Sequence, residues 1–79
     1  MKVTPCLEAF VRWLIANSND NLIETNSLTS VAEEIDREYH VLKRYKKILQ
    51  ESGYIEEVSI GNRYITRKIH LSEKIRELM

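Results

Sequence analysis

Lys43, Arg44, Lys46 and Lys47 place four cations in five consecutive positions, and no other window of that length holds as many charges of one sign. Lysine offers a point charge to phosphates and carboxylates, whereas arginine offers a planar fork that meets two acceptors at once. Together they are suited to binding anions, provided the chain turns them toward a common side. Residues 38–53, EYHVLKRYKKILQESG, read as one helix that does this. Val41, Leu42, Tyr45, Ile48 and Leu49 recur at the i, i+1, i+4, i+7, i+8 spacing of an apolar stripe; Lys43, Lys47 and Gln50 point the other way, flanked by Arg44 and Lys46. An ordinary solvated helix shows the same periodicity, so the reading depends on the elements around it.

The net charge of the chain is zero, which speaks against indiscriminate attraction to nucleic acid. Its distribution is uneven. Residues 1–36 carry Lys2 and Arg12 against Glu8, Asp20, Glu24, Glu33, Glu34 and Asp36, an excess of four negative charges. Residues 37–72 carry eight Lys and Arg against Glu38, Glu51, Glu56 and Glu57, an excess of four positive charges. A phosphate backbone would meet only the second half.

A chain of 79 residues with 43% hydrophobic residues makes one domain with a thin core, near the size at which help from a partner becomes useful. The single cysteine, Cys6, leaves no intrachain disulfide and fits a reducing compartment. No CxxC accompanies the widely separated His40 and His70, so no metal site is expected. No apolar run reaches transmembrane length and no leader pattern opens the chain, which reads as a cytoplasmic protein, whether nucleoid-associated or in a host cytoplasm. There is no Gly-rich phosphate loop and no nucleophile with a matched acid and base, so the expectation is a non-enzyme without cofactor.

The elements that position the basic stretch read in order. Thr4 as N-cap and Pro5 in the first turn open a helix over residues 5–18, with Leu7, Phe10, Val11, Leu14 and Ile15 as its core stripe. Cys6, Ala9, Trp13 and Ala16 form a weaker apolar strip on its far side. Trp13 either folds over the edge of its own core or meets a partner. A polar loop over residues 17–26 accepts left-handed backbone conformations, and a short strand near residues 22–25 joins the later hairpin. Ser27 or Thr29, or Ser30 with Glu33 as a capping box, starts a second helix running to about Asp36, with Val31, Ala32 and Ile35 inward. Asp36 then supplies the positive φ of the turn.

Gly53 ends the basic helix. Residues 54–60 and 63–71 follow as β-rich runs separated by Gly61 and Asn62, a two-residue hairpin signal. Taken literally, that loop pairs Ile60 with Arg63, Val58 with Ile65, Glu56 with Arg67 and Tyr54 with Ile69. Ser72 caps a short last helix whose Leu71, Ile75, Leu78 and Met79 form an apolar stripe, to be covered by the first helix of its own or a partner's chain.

Residues 28–55, LTSVAEEIDREYHVLKRYKKILQESGYI, resemble the winged helix-turn-helix regulators of the MarR-like and PadR-like kind. Ala32, Glu33, Glu34 and Ile35, then Leu42 and Leu49, then Gly53, Tyr54 and Ile55 carry the likeness. The small size is similar to that of regulators encoded by plasmids and viruses. Two positions depart from the pattern: Asp36 stands where glycine is usual in the turn, and Glu38, Tyr39 and His40 replace the usual Ser or Thr at the start of the recognition helix.

The resemblance implies an α+β winged helix-turn-helix: a three-helix core, a C-terminal β-hairpin wing and a short C-terminal helix, as a single domain over residues 1–79. It further implies sequence-specific binding of double-stranded DNA and transcriptional regulation by a homodimer, with recognition helix 39–52 in the major groove and wing 54–71 on the adjacent groove or backbone. Tyr39, His40, Lys43, Arg44 and Lys47 would then lie in or along the major groove. Arg44 is suited to a bidentate contact with guanine, and Lys43, Lys46 and Lys47 to phosphates. Asn62, Arg63 and Lys68 would serve the wing. The dimer contacts would come from Cys6, Ala9, Trp13, Ile75 and Leu78. The rival expectation is a winged-helix module that binds another protein without DNA.

Overall fold

In the computed structural model, which describes residues 2–25, 28–58 and 67–78, Thr4 Oγ1 accepts from the Leu7 N–H at 3.2 Å and so caps helix α1, Pro5–Ala16. Proline in the first turn removes a donor that would be unpaired there. Leu7, Phe10, Val11 and Leu14 turn inward and are fully buried. After the helix, Asn19 and Leu22 exchange N–H···O bonds of 2.9 and 3.0 Å across Asp20 and Asn21, whose φ values are 53° and 62°. Consecutive positive φ angles across a two-residue loop are the mark of a type I′ turn, for which Asp and Asn are well suited. Strand β1, Leu22–Thr25, follows as the sequence suggests.

Helix α2, Leu28–Glu34, and helix α3, Tyr39–Glu51, pack on one another, and Val31, Ala32, Leu42 and Leu49 of the two helices are buried in the same core. The small Ala32 side chain is buried on α2, the helix against which α3 packs. Both helices end in the same way. The Arg37 N–H donates to Ala32 O at 2.9 Å and the Asp36 N–H to Glu33 O at 3.3 Å; after α3, the Tyr54 N–H donates to Leu49 O at 2.9 Å and the Gly53 N–H to Gln50 O at 3.1 Å. This is the Schellman pattern, which requires a left-handed residue at its pivot. Gly53 holds φ 78° at one pivot, and Asp36 holds φ 55° at the other.

The sheet is antiparallel in the order β1-β3-β2, with β2 at Ile55–Val58 and β3 at Arg67–Leu71. β1 meets β3 with Ile23 opposite Ile69 and Glu24 opposite Lys68. The β2–β3 register corrects the one expected from a tight Gly61-Asn62 loop. Ile55 lies opposite Leu71, Glu56 opposite His70, Glu57 opposite Ile69 and Val58 opposite Lys68. Glu56 therefore does not face Arg67, and Tyr54 does not face Ile69. Burial explains the change. The expected pairing would set Ile55 opposite Lys68 and turn Ile55 and Ile69 to opposite faces, because side chains alternate along a strand. In the observed pairing Ile23, Ile55, Ile69 and Leu71 share the face against the helices, and all are buried. The tip, with Ile60, Gly61, Asn62, Arg63 and Ile65, lies outside the described residues.

Glu73–Leu78 forms the expected short last helix, which is of the 3-10 kind. Ser72 Oγ accepts from the Lys74 N–H at 3.3 Å, and the Ile75 N–H donates to Ser72 O at 3.0 Å. The segment packs on α1 of its own chain, where Ile75 joins the core. The whole is α+β: helices on one face of a small three-stranded antiparallel sheet. Among the described residues no helix is long and apolar enough to cross a membrane.

Candidate nucleic-acid interface

With Leu42 and Leu49 buried and Val41, Tyr45 and Ile48 half-buried, the rotation of α3 about its axis is set. His40, Lys43, Arg44 and Lys47, at i, i+3, i+4 and i+7, form one exposed stripe along the other side. The expected sites Tyr39, His40, Lys43, Arg44 and Lys47 are thus brought together on solvent-facing helix. Tyr39 is one of two large apolar side chains that stand exposed among the described residues, at 40%. Its ring meets that of His40 edge-on, with centroids 6.4 Å apart at 72°. Glu51, next along the stripe, is also exposed and gives it an acidic end.

The cations whose side chains the structure describes fall into two groups by partner. Arg12 pairs with Glu8 at 2.9 Å, Lys46 with Glu57 at 2.9 Å and Lys68 with Glu24 at 3.4 Å. Lys74 donates to Ser52 O at 3.1 Å and lies over the Tyr54 ring, while Arg76 donates to Asn21 Oδ1 at 3.1 Å. Lys43, Arg44 and Lys47 make no ion pair or side-chain hydrogen bond with the described residues, and neither does the exposed Arg37 just before α3. Arg37 stands exposed in the turn two residues before α3, a cation that no motif in the sequence singles out.

Lys46 lies on the flank of α3 as its spacing suggests, whereas Gln50, expected on the outward side, is found there with it. Both are half-buried on the flank of α3. Lys46 Nζ and Gln50 Nε2 reach the same atom, Glu57 Oε2, at 2.9 and 3.4 Å. The side chains of Lys46 and Glu57 are only 13% and 20% exposed, so this ammonium is committed inside the fold and does not belong to the open stripe. Lys68, expected at the wing, is likewise engaged, by the carboxylate of its cross-strand neighbour Glu24. Asn62 and Arg63 lie outside the described residues.

Glu38 occupies the N-cap position of α3 with extended backbone, yet its side chain makes no cap hydrogen bond; its Oε2 lies 4.0 Å from His40 Nε2. No side chain of the cap residue therefore covers the first amides of α3, which point toward the exposed end that carries Tyr39 and His40.

Of the residues expected at a dimer contact, Ile75 is fully buried in its own chain, which removes it from any such surface. Cys6, Trp13 and Leu78 are half-buried and pack against their own core, and Ala9 is half-buried beside them. Trp13 thus folds over its own core edge, and its indole Nε1 is buried without a hydrogen-bond partner among the described residues. A cleft of about 660 Å³ is lined by Gln50, Gly53, Glu56, His70, Ser72 and Glu73 among others. Its carboxylates disfavour an anion, which separates it from the chemistry of α3. Comparison with protein-family models, with curated proteins and with solved structures finds no match to this chain.

Proposed function

We propose that this chain is a winged helix-turn-helix protein that binds double-stranded DNA in a sequence-specific way and acts as a transcriptional regulator. The observation that carries the reading is the division among the described cations: Arg37, Lys43, Arg44 and Lys47 have no ion pair or side-chain hydrogen bond with the described residues, while Arg12, Lys46, Lys68, Lys74 and Arg76 do. An exposed row of unpaired cations on a rigid helix costs self-repulsion unless an anionic ligand relieves it. The phosphate backbone of a duplex is such a ligand. The order helix, strand, helix, turn, helix, hairpin is compatible with the winged layout, in which α3 enters the major groove and the segment after β2 extends to the neighbouring groove or backbone.

In this reading Lys43, Lys47 and Arg37 hold phosphates, and Arg44 makes a bidentate contact to guanine O6 and N7. Tyr39 and His40 lie at the leading end of α3, against base edges or sugar. Lys46 is assigned no DNA contact. One copy touches only a few base pairs, so two copies on a pair of half-sites, about one helical turn apart, are the natural arrangement. Enrichment of binding sites from a random duplex library tests this directly. The expected result is a short guanine-containing motif that is lost with Arg44→Ala, repeated as two half-sites. No enrichment, together with capture of a protein by the same exposed stripe, would favour the protein-binding module instead.

A further inference from the structure

The carboxylate of Glu57 takes no part in the exposed stripe, yet it joins two side chains of α3, Lys46 and Gln50, to the strand that leads toward residues 59–66. Its place is a consequence of register. Glu57 stands opposite Ile69, on the face where Ile55 and Leu71 are buried, so an acid arrives on the core side of the sheet. There it is largely shielded from water and needs a partner. Lys46 and Gln50, one helical turn apart, present an ammonium and an amide to the same oxygen.

We propose that Glu57 is a positioning residue for DNA recognition, holding α3 and the wing strand at a fixed mutual angle through Lys46 and Gln50. This rests on the DNA-binding reading above. The apolar anchors Leu42 and Leu49 fix which side of α3 is buried, but apolar contact is not directional. A charged hydrogen bond on the flank of the helix is directional, and it resists rotation about the helix axis. With side-chain ends about 5–6 Å from that axis, a roll of about 20° would move Lys43, Arg44 and Lys47 by about 2 Å. That displacement exceeds the tolerance of a bidentate base contact but is easily absorbed by flexible lysines on phosphates. Glu57 therefore acts on discrimination between sequences and leaves general affinity for DNA nearly unchanged.

The test is a charge-reversal cycle with Lys46→Glu, Glu57→Lys and the double variant, whose net charge equals that of wild type. The quantity measured is the ratio of affinities for the library-selected duplex and a random duplex, at a temperature where circular dichroism shows each variant folded. Each single variant is expected to lower the ratio about tenfold, and the double variant to restore it to within about threefold of wild type. A stability effect alone would not move this ratio in folded protein. Glu57→Gln, which keeps the shape and removes the charge, provides the same reading if a reversal variant fails to fold. The proposal is overturned if the single variants keep the wild-type ratio. It is also overturned if Lys46→Glu weakens both duplexes equally, with a shallower salt dependence that Glu57→Lys does not repair, because Lys46 would then be a phosphate contact. Wild type that binds neither duplex in a salt-sensitive way removes the DNA reading itself, and this proposal with it.

Discussion

The hydroxyl of Tyr45, midway along α3, lies 2.7 Å from Thr4 Oγ1, the same atom that caps α1. The basic helix is thereby tied at its inner face to the start of the first helix, across 41 positions of chain. Tyr45→Phe removes one partly buried hydrogen bond and is expected to cost about 1 kcal/mol, with Thr4→Ala costing somewhat more because the cap is lost as well. The two losses should not add. A double-mutant cycle in urea is expected to show a coupling of about 0.5–1 kcal/mol, and strict additivity would show that the contact contributes nothing.

The two Schellman pivots call for opposite substitutions. Asp36 holds φ 55°, a conformation that carries a steric penalty for any residue with a Cβ. Asp36→Gly is expected to stabilise the protein by about 0.5–1 kcal/mol. At Gly53 a Cβ would meet nothing nearer than Lys74 Nζ at 3.8 Å, so space is not the obstacle; φ 78° is. Gly53→Ala should cost about 1 kcal/mol through the backbone alone. Denaturation midpoints that move in the same direction for both variants would contradict this account.

Glu38 stands where a capping side chain belongs but makes no cap bond. Glu38→Ser is expected to raise stability by about 0.5–1 kcal/mol and, by removing an acid beside the basic stripe, to tighten binding to duplex DNA at low salt. Thermal melts and duplex titrations of the same preparation check both effects. Tighter binding without the gain in stability would mean that serine does not cap α3.

Ile75 is buried against α1 within one chain. Ile75→Ala should therefore cost about 2–5 kcal/mol through lost burial and a cavity. Because the contact is internal, the difference from wild type should be the same at micromolar and at hundred-micromolar protein. A penalty that grows on dilution would place Ile75 at an interface between copies after all.

Much of this arrangement is legible from local chemistry. The Thr4 cap, the left-handed Asp36, the closing Gly53 and the short strand at residues 22–25 are where residue types place them, because each depends on a few neighbouring positions. The hairpin register was not legible from the Gly61-Asn62 signal, because the shared burial of Ile23, Ile55, Ile69 and Leu71 outweighs a turn preference. The same burial-set register brings Glu57 to the side of α3 that carries Lys46 and Gln50. Helical periodicity puts Lys46 near the edge of the basic face, and only the strand register reveals that a carboxylate waits for it there. Lys68 is a parallel case, since its partner Glu24 lies on a strand distant in sequence. The burial of Ile75 depends on how the last segment folds back onto α1, which an isolated two-turn pattern does not specify.

The measurement that bears most directly on the central proposal is the affinity of the purified protein for random-sequence duplex DNA across a salt series, beside that of the double variant Arg44→Ala, Lys47→Ala. If Lys43, Lys47 and Arg37 meet phosphates, the logarithm of affinity should fall against the logarithm of salt with a slope of about −3 per protomer. The double variant, still folded, should lose most of the affinity and about one to two units of that slope. Binding that is absent at low ionic strength, or that is unchanged in the double variant, would contradict the assignment of the exposed stripe of α3 to DNA.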